Sequence, residues 1–308
     1  ADGTLGATAL LPPTGARALV SARAAGAPQP EPLVAVETMG AGGFVYVAFP
    51  LGRQLLVWQQ GLPAEDFSVP QRWRSEAGVD LRQTNALVPD RELLMTYFPH
   101  ADAWERLLLA VVEVVHPIPR LWYFPFRYDG VYSMSHDDED FGDRSLAITR
   151  EEARQGYRST MFIITDRITA KGVAAMAATG TEIALHWWRG WSTPVVAKVG
   201  LFGWAPFRRT LSLRQQSQRL DGLHRAPVKS NRVHGLIWDN HYTRDFRRLE
   251  AAGYRLDSTY GPAGTGQIGY IFGTGFPFHP VDTDGRPFRL QETPFLFEDD
   301  EKWFPDLD

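Results

Sequence analysis

The sequence predicts an α/β protein, on three observations. Strand-like and helix-like runs alternate through its second part. The composition is rich in apolar and aromatic residues, and acidic and histidine side chains fall where strands should end. Of 308 residues, 44% are hydrophobic and 12% aromatic, which excludes a disordered chain. At roughly 150 residues per domain the length suggests two units, and a change of texture near residue 120 divides them into 1–120 and 121–308.

Residues 1–30 are rich in Ala, Gly and Pro, and LPPTGA and AGAPQPEP supply turn chemistry without a sustained period. LVAVETMG, FVYVAF and QLLVWQ then read as three short strands bounded by Gly or Pro. DAWERLLLAVVEVV, Asp102 to Val115, places apolar residues at helical spacing, with Asp102 as N-cap and Pro117 beyond its end. HPIPRLWYFPFRYDG, 116–130, contains three prolines and reads as a connection. After it VYSMS is a predicted strand, TREEARQGY a helix, STMFIIT a strand, AKGVAAMAATG a helix and TEIALHWW a strand. SLRQQSQRLDGLHRA and TRDFRRLEAAGY read as helices around the strand RVHGLIW, and RLDSTYG and FRLQETPF as the last strands. Such alternation implies a parallel sheet, open or closed into a barrel, with functional groups at the carboxyl ends of its strands.

Several function classes fall away on composition. The 32 Lys and Arg against 36 Asp and Glu leave a net charge of −4, so no basic field holds nucleic acid or anionic lipid. The longest strongly apolar run, Leu107 to Val115, is interrupted by Glu113 and falls short of the ~20 residues of a membrane span. There is no cysteine, which excludes disulfides, thiolate zinc sites and a cysteine nucleophile and leaves His, Asp and Glu as metal ligands. The first residue is Ala1 and no basic-then-apolar leader follows, which reads as a processed chain or a piece of a longer one with further domains.

The densest acidic feature is SHDDED, where Asp137, Asp138, Glu139 and Asp140 follow the strand VYSM. Adjacent carboxylates repel unless a cation or water screens them. One reading is a solvated turn with an Asp capping the next helix. The other is a metal carboxylate beside a general base. His186 ends a second strand and His234 lies in a third, with Arg232 two residues earlier on the same face. Asp and two His from three strand ends would make a metal site with open positions. Trp187, Trp188 and Trp191 beside His186 suit either core packing or an aromatic wall against a sugar ring.

This order of features resembles the polysaccharide deacetylase family, the NodB-homology or carbohydrate esterase family 4 group, over about 128–300. Its TFDDG motif matches Ser135, His136, Asp137, Asp138 and Glu139, with Glu139 in place of Gly. The resemblance implies a distorted (β/α) barrel, Asp137 as catalytic base and Asp138 as metal ligand. The HxxxH motif matches only at His186, because Gly190 stands four residues on. His234 is the substitute imidazole, and Arg232 takes the place of the family's active-site Arg. GYRLDSTYG resembles the segment whose Asp, here Asp257, supports that Arg or the base, and His279 in TGFPFHPVD is the remaining general acid. The family's last motif, Leu-x-His, has no match before Asp308.

What the resemblance implies is a divalent cation, Zn²⁺ first, held by Asp138, His186 and His234, and hydrolysis of acyl groups on an amino sugar or polysaccharide. It also implies extracellular or periplasmic placement. The rivals are a carbohydrate-binding or scaffold module with a degenerate site, and an amide hydrolase on a non-sugar substrate. AVETMGAGGFVYVAFPLG in the first part weakly resembles the closing strands of a glutamine-amidotransferase-like or ThuA-like domain, which implies a small flavodoxin-like α/β unit there.

Overall fold

The computed structural model describes residues 15–22, 29, 31–61, 73–75, 80–87, 98–115, 117–120, 124–138, 142–166, 168–189, 191–192, 211–262 and 269–297. Glu139 and Asp140 of the acidic turn, and most of residues 1–30, lie outside them.

In the first part, strands β1 (Arg17–Ala22), β2 (Glu31–Met39) and β3 (Gly42–Val47) form an antiparallel sheet in that order. Gly40 and Ala41 alone join β2 to β3, and Met39 pairs with Gly42. Gly40 takes φ +58°, the left-handed value a two-residue hairpin turn demands. A turn this short allows only antiparallel pairing, so the parallel flavodoxin-like arrangement expected here is not what these strands form. QLLVWQ, expected as a strand, lies in helix α1 (Leu51–Gln60), and β4 (Trp73–Ser75), β5 (Asp80–Gln83) and α2 (His100–Val115) follow.

The second part carries the parallel sheet. β6 (Ser135–Asp138), α3 (Asp143–Arg154), β7 (Thr160–Ile163), α4 (Ala170–Ala177), β8 (Glu182–Trp187), β9 (Trp191–Ser192) and α5 (Leu213–His224) come first. β10 (Ser230–Val233), β11 (Ile237–Asp239), α6 (Tyr242–Ala251), β12 (Leu256–Asp257) and β13 (Gln291–Glu292) complete it. Six strands pair in the order β13-β12-β10-β8-β7-β6, every neighbour parallel. Helices start where the sequence supplies caps: Thr169 Oγ1 accepts the Gly172 N–H at 3.1 Å, and Ser212 and Gln215 form a capping box on α5.

Period-two alternation divides the sheet's residues between two faces. Met161, Ile163, Ile183, Leu185, Trp187 and Val233 join the apolar core with Val173 and Met176 of α4, Leu220 of α5 and Leu249 of α6. The opposite face carries Asp137, Phe162, His186 and Arg232. Arg232 Nη1 reaches Asp137 Oδ1 at 3.0 Å although β8 and β7 stand between their strands. Three strand spacings of about 4.8 Å would separate β10 and β6 by about 14 Å in a flat sheet, more than an arginine side chain spans. The sheet is therefore strongly curled, and this concave face holds the site.

RVHGLIW, expected as one strand, is broken: His234–Leu236 form a 3₁₀ turn between β10 and β11, with Gly235 at φ +63°. β11 leaves the parallel sheet and pairs antiparallel with β5, which pairs with β4, which pairs with β9. The first part is thereby built onto the second. Gln60 and Val281 exchange hydrogen bonds at 2.9 and 2.6 Å, and Ala101 N–H donates to Gly273 O at 2.8 Å. Among the described residues no helix is long and apolar enough to cross a membrane.

Candidate active site

Asp137 is placed by parity. It lies on β6 opposite Phe162 of β7, on the concave face, and Arg232 lies on β10 opposite His186 of β8. Arg232 is nearly fully buried and its guanidinium makes four hydrogen bonds. Nη1 donates to Asp137 Oδ1 at 3.0 Å, Nη2 to Ser135 Oγ at 2.7 Å and Ser258 Oγ at 3.1 Å, and Nε to Ser258 O at 2.8 Å. Its charge sits between two rings, 4.3 Å from the Phe162 centroid and 4.8 Å from that of Phe295, a cation–π sandwich. Gly261 makes room for the second ring: a Cβ there would stand 2.3 Å from the Phe295 edge.

His186 is fully buried. Its Nδ1 lies 3.2 Å from Arg232 O and its Nε2 3.5 Å from Asp137 Oδ2. Burial by itself would raise the Asp137 carboxyl, but the charges of His186 and Arg232 outweigh it and hold Asp137 below the usual carboxylate range. An ionised carboxylate, about a third exposed and fixed by a guanidinium, therefore lies on the concave face.

His234 enters from the 3₁₀ turn, its ring 5.0 Å from that of His186 and 4.3 Å from that of Trp188. Trp188 is pinned by its backbone: its N–H donates to Gln216 Oε1 at 3.1 Å and its carbonyl accepts from Gln216 Nε2 at 2.6 Å. Trp188 and His234 thus form one wall beside Asp137 and His186.

Other expected site residues go elsewhere. Asp138, one residue on from Asp137, turns to the other face of the sheet. Its Oδ1 accepts the Gly142 N–H at 3.1 Å and the Ser145 hydroxyl at 2.7 Å, which caps the start of α3. Among the described residues no three His, Asp or Glu side chains are grouped to hold a metal ion, so the trio Asp138, His186 and His234 is not assembled as a ligand set. Trp187 faces the helices in the apolar core, under the Arg189 guanidinium at 4.7 Å, rather than forming a sugar-facing wall. Trp191 lies in β9, and its side chain is outside the description. Asp257 lies on the helix side, with Asn231 Nδ2 on its Oδ1 at 2.6 Å; its neighbour Ser258 is what grips Arg232. His279 is absorbed by the sheet edge, Nδ1 lying 2.9 Å from Phe288 O and Nε2 3.2 Å from Gln291 Nε2.

The residues missed by sequence reasoning are Ser135, Ser258, Phe162, Phe295 and Gln216. Ser135 stands two residues before Asp137, and strand parity alone would have put both on one face. Nothing in the local sequence marks Gln216 or Phe295, which act across the fold. No family model and no curated protein matches this chain.

Proposed function

We propose that the chain is a hydrolase of the deacetylase kind, which removes acetyl or other acyl groups from an amino sugar or polysaccharide. Its curled parallel sheet is read as a distorted (β/α) barrel. The observation that carries this is the Asp137 carboxylate, fixed by Arg232 and facing His186 at the carboxyl end of β6. A carboxylate so fixed takes a proton from an attacking water without reorienting. Arg232 keeps it ionised, and Ser135 and Ser258 keep Arg232 in place. Trp188 and His234 supply an aromatic face for a sugar ring.

The described residues do not gather the three ligands of the expected Zn²⁺ site, so no step is assigned to a metal. Metal dependence belongs to this proposal through His186 and His234, whose rings adjoin. A non-catalytic carbohydrate-binding module is the second reading, favoured by the use of Asp138 as a helix cap.

The deciding experiment measures acetate release from N-acetylglucosamine oligomers, with and without added Zn²⁺, alongside elemental analysis of the purified chain. Acetate release that disappears in Asp137→Asn supports the hydrolase. Oligomer binding without release, in the presence of Zn²⁺, supports the binding module.

A further inference from the structure

Behind Arg232, on the helix-side face of the sheet, Asp257 and Glu292 occupy paired register positions on the parallel strands β12 and β13. Both are fully buried, and paired positions on neighbouring strands set the two carboxyl side chains next to each other on one face. Asp257 Oδ1 accepts from Asn231 Nδ2 at 2.6 Å, and its Oδ2 accepts the Thr259 N–H at 3.3 Å. Glu292 Oε1 accepts the Tyr260 N–H at 2.9 Å. Glu292 Oε2 is equally buried and meets no donor among the described residues. Two ionised carboxylates are acceptors only and cannot hydrogen-bond to each other. Side by side in a low dielectric they also repel. One proton on Oε2 removes both difficulties.

We infer that Glu292 is held as a neutral carboxylic acid donating its proton to Asp257, and that this shared proton locks β12 to β13 and seats the turn that grips Arg232. The turn is short: Ser258 supplies its carbonyl and hydroxyl to Arg232, and Thr259 Oγ1 accepts the Val233 N–H at 3.0 Å. Glu292 is thus a positioning residue, two contacts removed from Asp137. Asp257 from β12, the Tyr260 phenol and, across the sheet, Arg232 from β10 are the groups facing it; Asp245 of α6 acts on the same phenol. Burial first, then the charge of Asp257, push the Glu292 carboxyl well above its ordinary value, against the smaller pull of the Tyr260 N–H and Arg232. The lock holds whether or not the chain hydrolyses acyl sugars.

Its signature is proton linkage. In the unfolded chain both carboxyls ionise near their ordinary values of about 4, while the folded pair keeps one proton. The stability this contributes is complete below the unfolded value and is lost as pH rises toward the folded one. The test is the folding equilibrium from pH 5 upward, by urea denaturation of the full chain and of Glu292→Gln, whose amide replaces the neutral acid and still donates to Asp257. The wild-type folding constant should fall tenfold per pH unit relative to the variant, which is about 1.4 kcal/mol per unit. Equal pH slopes would overturn the inference. Should the variant not fold, infrared spectroscopy of the wild type decides: a protonated-carboxyl band at pH 7 that moves on ¹³C-glutamate labelling is expected, and its absence overturns the lock.

Discussion

Replacing Arg232 by Met removes the guanidinium while leaving an apolar side chain between Phe162 and Phe295. Four hydrogen bonds are lost, to Asp137, Ser135 and twice to Ser258, and with them two cation–π contacts. Breaking a fully buried ion pair by removing one partner costs about 3–5 kcal/mol. The Asp137 side chain keeps 31% exposure, so water recovers part of the charge, and the expected loss is about 2–3 kcal/mol in urea denaturation at pH 7. The pH dependence has a definite sign. Asp137 is held below its ordinary value by His186 and Arg232 against burial. Its contribution is complete above the unfolded value, and it is lost as pH falls through the folded one. The gap between wild type and variant should therefore narrow on acidification below about pH 4. A loss under about 0.5 kcal/mol, within the range of ordinary surface changes, would refute the view that Arg232 organises the concave face.

Other substitutions probe its surroundings. Gly261→Ala places a methyl 2.3 Å from the Phe295 ring, and thermal denaturation should register about 1–3 kcal/mol of overpacking; an unchanged melting temperature would mean that Phe295 moves freely. Asp138→Ala strips the acceptor from Gly142 N–H and the Ser145 hydroxyl, so urea denaturation should show a loss of about 1–3 kcal/mol. Unchanged stability, with metal content lost, would instead make Asp138 a ligand. Ser212→Ala removes the capping box of α5 and should cost about 1 kcal/mol by the same assay.

The alternation that predicts a parallel sheet is plain in STMFIIT, AKGVAAMAATG and TEIALHWW, because each run is long enough for its period to show and is bounded by a cap or Gly. QLLVWQ is not, since a six-residue apolar run suits either period. Its helix is held by partners far along the chain, such as Val281 on Gln60. RVHGLIW hides a break because Gly235 bends the chain only where β11 finds β5, a pairing made by tertiary contact.

Parity explains most of the site. Asp137, His186 and Arg232 were legible as strand-end groups, and the structure brings them to one face. Asp138 and Asp257 stand next in sequence to residues on that face, and one step along a strand reverses the side chain. Which of two adjacent residues points inward depends on register, which no local motif fixes. Ser258 rather than Asp257 therefore holds Arg232. His234 reaches the site through the irregular turn after β10, where parity gives no guidance. The structure places it against Trp188 by way of Gln216, a contact across 28 residues of chain.

The proposed role of Asp137, a base poised by Arg232, is decided by acetate release from N-acetylglucosamine oligomers by wild type and Asp137→Asn. Release by the wild type is expected, with its loss in a variant that still folds and still binds the oligomer. Equal release by both proteins would contradict it.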